Sequence, residues 1–306
     1  MSQFYQFKKV EGIISFSDQT HVEAKSYYFI NNPDGSMRWL FPTKSISACF
    51  LNLYNGSGVK AFAFKEVAKK LSVLGWMKPI TSGRFSIFSK HKKNIKHHFG
   101  KLLYDDFAIF TGTVGDDRKM VVALSKNKIC NHFVKIPLTS AAERLVENEF
   151  QMLDQLSDHQ FEELVFPKTK PTPTGIVVSN VQPTNAEKNN SFQKKHLMAL
   201  EKLYQISAKE MSIKDIAVWK TIERGLKDLK TIQKTSNKLP IEKIKQLSEL
   251  CQSHYKELSN SKEIIVGIGH GDFTPWNMYQ ANGKLHLYDW EMANLDTPLL
   301  LSLIHI

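Results

Sequence analysis

Residues 270–291 read His-Gly-Asp-Phe-Thr-Pro-Trp-Asn, then an Asn-Gly pair set between two short runs, then Asp-Trp-Glu. Asn282-Gly283 is a strong hairpin signal, because both central positions of a two-residue type I′ turn need positive φ. Flanked by residues 277–281 and by the alternating run 284–289, the pair fixes a register. In that register Asn277 faces Tyr288 and Asp289 faces Trp276, so Asn277 and Asp289 sit side by side at the open end. Asp272 stands five residues before Asn277, in a loop punctuated by Gly271 and Pro275. Three side chains that handle protons or a hard cation are thereby brought around one small volume.

The string His270-Gly271-Asp272 through Asn277, with Asp289-Trp290-Glu291 on the next strand, resembles the aminoglycoside phosphotransferase and choline kinase family. These are small-molecule kinases with a protein-kinase-like fold. The Asp272-to-Asn277 spacing matches the pair in kinase catalytic loops, where Asp orients the substrate hydroxyl and Asn holds Mg²⁺. The resemblance implies that Asp272 is the catalytic base, Asn277 one Mg²⁺ ligand and Asp289 the second, with His270 structural. The cofactors it implies are ATP and Mg²⁺. Without the resemblance, the same segment is a polar hairpin.

Further parts of a kinase are then expected upstream. Residues 107–113 and 119–124 read as strands joined by 114–118, with Gly112 and Gly115 where backbone would approach phosphates. Two glycines do not make a full Gly-rich loop, and a plain tight turn explains them equally well. Residues 131–138 read as the third strand, with Val134, Ile136 and Leu138 on one face and Lys135 on the other. Lys135 is thus the candidate phosphate-binding lysine. A helix follows, with Ser140 expected as N-cap and Glu143 completing a capping box. Leu145, Met152, Leu153 and Leu156 form its apolar stripe, and Glu149 falls inside that stripe. An unpaired buried carboxylate is costly, so Glu149 needs a partner, and Lys135 is the one a kinase fold provides. Glu147 shares its face with Glu143, Gln151 and Asp154 and is expected in solvent. Alternatively, Lys135 and Glu149 are an unrelated surface lysine and an edge-placed glutamate.

Residues 167–174 form a Pro- and Thr-rich connector, and 175–181 an apolar strand running into Gln182-Pro183. A hinge is expected here, with backbone near Ser179 and Gln182 meeting adenine. Helical stretches follow at 192–206, 213–232 and 241–258, the last with Ile241, Ile244, Leu247, Cys251, Tyr255 and Leu258 on one face. The expected fold class is α+β, a protein-kinase-like two-lobed fold with a β-rich N-lobe and a helical C-lobe. The expected division is a basic N-terminal region at 1–100, an N-lobe at 101–183, a C-lobe at 184–300 and a non-native tail at 301–306. The hexapeptide Leu301–Ile306 looks like translated sequencing adapter, and relatives continue beyond this point, so the C-lobe is expected to be truncated.

The first hundred residues contain strand-like runs at 26–30, 39–41 and 48–54, a turn at 32–35 and a helix at 59–74. They are either a separate domain or an extension of the nucleotide-binding lobe. They hold 15 Lys and Arg against 5 Asp and Glu, which accounts for nearly all of the net +11. Residues 84–101 interleave Lys90, Lys92, Lys93, Lys96 and Lys101 with apolar side chains. Such a segment suits an anionic membrane surface or an acidic glycolipid, with nucleic acid less favoured and a merely solvated segment the plainest reading. Cys49, Cys130 and Cys251 are odd in number and far apart, which fits a reducing cytoplasm. No run reaches a membrane span, so membrane association would be peripheral, at the inner face. The expected activity is transfer of the ATP γ-phosphate to a hydroxyl of a small molecule: an aminoglycoside, an amino alcohol or an envelope sugar. The competing readings are a silent nucleotide-binding scaffold and a membrane- or nucleic-acid-binding module carried by the basic leader.

Overall fold

Side chains in a strand alternate between faces, and three adjacent pairs in the first half of the chain show what that alternation builds. Tyr27, Leu40 and Phe107 enter one apolar cluster, while their neighbours Tyr28, Phe41 and Ala108 enter another. One sheet therefore carries a core on each face. The structure is a computed structural model that describes residues 16–17, 25–45, 48–54, 59–87, 99, 102–112, 114–183, 186–187, 191–235, 241–258 and 263–298. It divides into two compact units, Met1–Gln160 with Phe166–Gln182, and Phe161–Val165 with Pro183–Ile306.

The first unit holds β1 (Phe16–Ser17), β2 (Lys25–Asn31), β3 (Met37–Pro42), β4 (Gly83–Ile87), β5 (Asp106–Phe110), β6 (Lys119–Lys126) and β7 (Ile129–Pro137). A short β8 (Leu164–Val165) belongs to the second unit, and β9 (Thr169–Thr172) and β10 (Gly175–Ser179) return to the first. The nine strands of the first unit form one antiparallel sheet in the order β1-β4-β2-β3-β5-β6-β7-β10-β9. The leader strands continue this sheet, since β3 pairs with β5 through Trp39 to Phe110 and Leu40 to Ile109. Phe41 is fully buried and stacks on Phe50 at 4.4 Å. Burial of one such side chain is worth about 1.5–3 kcal/mol.

Three local expectations are corrected. Residues 48–54 do not form a strand: Ala48 adopts the left-handed conformation, and Cys49–Leu53 coils into a 3₁₀ helix that carries Cys49 and Phe50 into the core. A short apolar run does not distinguish strand from helix by itself. The connector contributes β9, an edge strand in which Pro171 lacks only a donor that faces away from the ladder. The helix after β7 spans Ser140–Ser157, with its cap one residue earlier than expected: extended Thr139 accepts from the Ala142 N–H at 3.1 Å. The Thr139 hydroxyl also donates to the Asp116 carbonyl, which ties the helix start to the β5–β6 loop.

The second unit holds helices Lys194–Gln205, Ala217–Thr235 and Ile241–Leu258 with β11 (Lys209–Met211), β12 (Ile264–Gly269), β13 (Met278–Ala281), β14 (Lys284–Leu287) and β15 (Asn294–Pro298). β13 and β14 form a hairpin extended by parallel β8, and β11, β12 and β15 make a second small sheet. The helix expected from residue 213 begins at Ala217, whose N–H donates to the Asp296 carboxylate at 2.7 Å. Ile213 and Ile216 instead pack with Trp219 and Val266 in a local core.

An antiparallel sheet whose lysine-bearing strand leads into a helix, followed by a connector to a unit of helices and a loop-plus-hairpin, is an α+β organisation. The lysine-rich run at 88–98 and 100–101, the terminal residues 299–306 and the apolar stripe side chains of Ile241–Leu258 lie outside the described residues. Cys49 and Cys130 are free and buried, and burial pushes the Cys130 thiol up to about 12. Neither is poised as a nucleophile. Among the described residues no helix is long and apolar enough to cross a membrane.

Candidate active site

The hairpin that carries the signature folds in the expected register. Met278 pairs with Leu287, Tyr279 with His286, Gln280 with Leu285 and Ala281 with Lys284. Asn282 and Gly283 both have positive φ, as a type I′ turn demands. One step further the Tyr288 N–H donates to the Asn277 carbonyl at 3.2 Å. Strand pairing ends there, so Trp276 and Asp289 do not face each other as a strand pair. Pro275–Asn277 coils into a 3₁₀ turn, and Asp289 adopts φ 68° and ψ 59°, left-handed geometry that leads into the turn Trp290–Met292. A non-glycine residue held in that region stores strain and marks a position where direction matters more than comfort.

Asp272 and Asn277 are in direct contact. The Asn277 side-chain amide donates to the Asp272 carboxylate at 2.8 Å and to the Asp272 carbonyl at 3.1 Å. Its nitrogen is thereby committed, which leaves the amide oxygen as the side chain's hard donor atom. His270 is buried and links loop to hairpin: its Nδ1 accepts from the Asp272 N–H at 3.4 Å, and Nε2 lies 3.0 Å from the Tyr288 carbonyl. The neutral ring with its proton on Nε2 satisfies both contacts. Trp290, fully buried, tilts against His270 at 4.5 Å, and Phe273 meets its edge at 6.1 Å. The sequence shows these two aromatics as motif letters, but their service as walls for His270 emerges only on folding.

Gly271 is required at this turn. Its φ is +81°, and a Cβ there would stand 2.1 Å from the Met292 carbonyl oxygen. Tyr288 is held from both ends: its ring stacks on Tyr279 at 5.1 Å, and its hydroxyl donates to the Trp276 carbonyl. Burial, then Tyr279 and Asp289, push the phenol far above its ordinary range, so it remains a donor. Glu291 was not assigned from sequence, yet its carboxylate lies within 4.8 Å of that of Asp289. Two residues apart in a strand, such side chains would share a face. Here the chain is not a strand, and the two carboxylates approach each other across the turn that Asp289 opens.

The first unit supplies the other set. Lys135 Nζ lies 2.7 Å from both carboxylate oxygens of Glu149. Glu149 is 0% exposed, on the face of its helix that also buries Ala142, Val146, Met152, Leu153 and Leu156. Glu147 is exposed and accepts from Gln151. Lys135 pairs with Val121 on β6 and Ile176 on β10. β10 comes so close that a Cβ at Gly175 would stand 2.1 Å from the Lys135 carbonyl oxygen. In the β5–β6 loop Gly112 has φ +70°, while a Cβ at Gly115 would meet nothing within 4 Å. The loop is anchored by Arg118, whose Nε donates to the Thr111 carbonyl at 3.0 Å.

At the expected hinge the Ser179 N–H donates to the Lys168 carbonyl, the Asn180 N–H to the Asn131 carbonyl and the Gln182 N–H to the Asn180 side chain, at 2.8, 2.8 and 2.9 Å. These three N–H groups are therefore already engaged within the protein. The boundary between the units falls just after Gln182.

No family model matches the chain. No curated protein matches it either. Solved structures do show similarity. The streptomycin–ATP complex of APH(2″)-IIa and the ADP-bound aminoglycoside phosphotransferase APH(2″)-Ib are each 15% identical, with TM-scores of 0.46. The alignments cover 69% and 65% of this chain and 72% and 69% of theirs. A glucosamine kinase, also 15% identical, has a TM-score of 0.34 and is covered over 53% of its length by 61% of this chain. Residue roles do not follow from likeness at that distance.

Proposed function

We propose that this protein is an ATP- and Mg²⁺-dependent phosphotransferase acting on a hydroxyl of a small molecule. The observation that carries the reading is the Asn277–Asp272 contact, which holds a carboxylate in place and frees an amide oxygen in the same stroke. Asp272 would accept or orient the proton of the acceptor hydroxyl as its oxygen attacks the γ-phosphorus and the bond to the β-phosphate oxygen breaks. The Asn277 amide oxygen and the Asp289 carboxylate are hard oxygen donors, the set that Mg²⁺ prefers. The ion, when bound, would neutralise phosphate charge. Lys135, fixed by Glu149, would position the nucleotide phosphates, the Gly112–Gly115 turn would cover them, and backbone within 179–182 would hold the adenine. Positioning and charge neutralisation, not covalent chemistry, supply most of the rate in such transfers. Residues 1–100 and 101–183 together would form the nucleotide-binding half, and 184–300 the catalytic and acceptor half.

Among acceptors, the APH and glucosamine kinase structures support a saccharide carrying amino groups, and the basic leader favours an anionic one. The deciding experiment supplies γ-labelled ATP and Mg²⁺ with pooled sugars, aminoglycosides and amino alcohols. Label transferred to one pool, and lost with EDTA, supports the reading. Nucleotide binding without transfer to any pool would favour a scaffold.

A further inference from the structure

Phe273 directly follows Asp272 in the chain and is buried against two rings. His270 meets it at 6.1 Å and 74°, and Phe192 at 6.5 Å and 68°. Both are edge-to-face approaches within the range where aromatic pairs attract. His270 belongs to the same short loop as Asp272. Phe192 comes from a distant segment, the entry to the helix Lys194–Gln205.

Phe192 is itself held in place. Its ring lies 5.1 Å from that of His196, at 39°. His196 stands at the third position of the helix, where its Nδ1 accepts from the Gln193 N–H at 2.8 Å and its own N–H donates to the Gln193 carbonyl at 2.9 Å. Glu or Gln usually fills this position of a capping box. A carboxylate buried here would carry a costly charge, whereas a neutral imidazole can cap the helix and stack at once. With Nδ1 accepting, the ring's proton is on Nε2. His196 is fully buried, and among the described residues Nε2 meets no hydrogen-bond partner. Buried donors are seldom left so, which indicates that the cap and the contact with Phe192 set the ring's position. Earlier in the same segment Glu187 exchanges both backbone hydrogen bonds with Gln280 at 2.9 Å, fastening the segment to β13. The chain that follows the unit boundary at Gln182 therefore supports the site at two points, the hairpin and Phe273.

The hydrogen bonds of Asp272 run within its own loop and hairpin. Its N–H donates to His270 Nδ1, and its carbonyl accepts from the Thr274 N–H at 2.9 Å and the Asn277 amide at 3.1 Å. These bonds shape the loop without tying it to the helix. The contact between Phe273 and Phe192 supplies that tie. A reacting group displaced by about 1 Å loses on the order of a hundredfold in rate, so such a tie has consequences for a base.

We infer that Phe192, fixed by the Gln193–His196 cap, is a positioning residue for Asp272 and acts through Phe273. Its effect on transfer rests on the phosphotransferase reading, whereas the tie to the loop does not.

The test compares Phe192→Ala, Phe192→Tyr and Leu197→Ala in the full chain, the last an exposed position on the same helix. Phe192→Leu keeps apolar volume without a ring and serves the same comparison where Phe192→Ala does not fold. Hydrogen exchange read by mass spectrometry needs no substrate. Peptides covering 270–277 should exchange at least about tenfold faster in Phe192→Ala, while those covering the hairpin 278–287 hold their rates. Phe192→Tyr and Leu197→Ala should match the parent. With an acceptor that takes label, kcat should fall about ten- to a hundredfold in Phe192→Ala while KM for ATP stays constant, and Phe192→Tyr should restore it. Unchanged exchange at 270–277 would overturn the assignment whether or not the parent transfers phosphate. Faster exchange across the whole second unit would also overturn it, by making Phe192 an ordinary core residue, as would an unaltered kcat in an active parent. Faster exchange confined to 270–277 in a parent without transfer would uphold the tie and count against the phosphotransferase reading alone.

Discussion

The Asn277 amide donates to the Asp272 carboxylate across 2.8 Å, so the residue expected to hold metal also aims the residue expected to receive the proton. Asp272→Asn keeps the shape of the loop and removes the basic oxygen. Transfer should fall by about two to four orders of magnitude while nucleotide affinity changes little. Asn277→Ala should remove both functions, raising the Mg²⁺ concentration needed for half-maximal rate and lowering the rate at saturating metal. Steady-state kinetics over a Mg²⁺ titration separates the two variants. Retained turnover in Asp272→Asn would sink the assignment of the base.

The Lys135–Glu149 pair predicts a stability result that differs from its functional one. Lys135→Ala leaves a fully buried carboxylate without its partner, at a cost of about 3–5 kcal/mol. Lys135→Met combined with Glu149→Leu removes both charges and should recover most of that stability. It should not recover nucleotide binding. Urea melts alongside titration of a fluorescent ATP analogue test both halves. Recovery of nucleotide binding in the double variant would show that the pair is structural only.

Gly271→Ala should cost at least about 1–3 kcal/mol, because alanine resists φ of +81° and its Cβ collides with the Met292 carbonyl. Gly283→Ala is the control. Its φ is also positive, +75°, but a Cβ there meets nothing within 4 Å, so only the backbone strain remains. Activity should fall much further in Gly271→Ala, since the displaced carbonyl belongs to the turn that follows Asp289. Equal losses in the two variants would refute the role of this close approach.

His196 predicts a pH dependence. It is fully buried, its Nδ1 accepts from the Gln193 N–H at 2.8 Å, and burial, then Lys195, depress its pKa below the usual value near 6.5. A second proton would have to enter on Nδ1 and break that cap. In the pH range below about 6.5 the unfolded chain therefore binds more protons at this site than the folded one, so stability rises with pH there. The contribution is fully present above about pH 7 and is lost as pH falls through the unfolded value. Melting temperature measured from pH 7.5 to 5.5 should drop more for the parent than for His196→Asn. Parallel curves would rule His196 out as the source.

Much of the second unit's chemistry was legible in the chain because it is local. Asn282-Gly283 permits one tight turn, and a side-chain period of two then sets every pair from Ala281–Lys284 to Met278–Leu287. Glu149 was legible for a related reason: a carboxylate on an apolar stripe requires a partner, and the kinase resemblance supplied Lys135 as that partner. Other features were not local. The run 48–54 has the composition of a strand, but Ala48 turns left-handed and the segment coils under the sheet, a choice made by the cavity it fills. Ser179 and Gln182 were placed at the hinge by chain order, yet which N–H groups are already engaged depends on Lys168 and Asn180.

The sequence alone determined the hairpin register, the Asp272-to-Asn277 spacing and the need to neutralise Glu149, since each follows from covalent order and the periods of strand and helix. Tertiary structure alone decided that the leader strands join the sheet at β5, that Asp289 twists out of its strand toward Glu291, and that His270 is walled by Phe273 and Trp290. Those outcomes depend on which surfaces distant segments present to one another, and no local period encodes that.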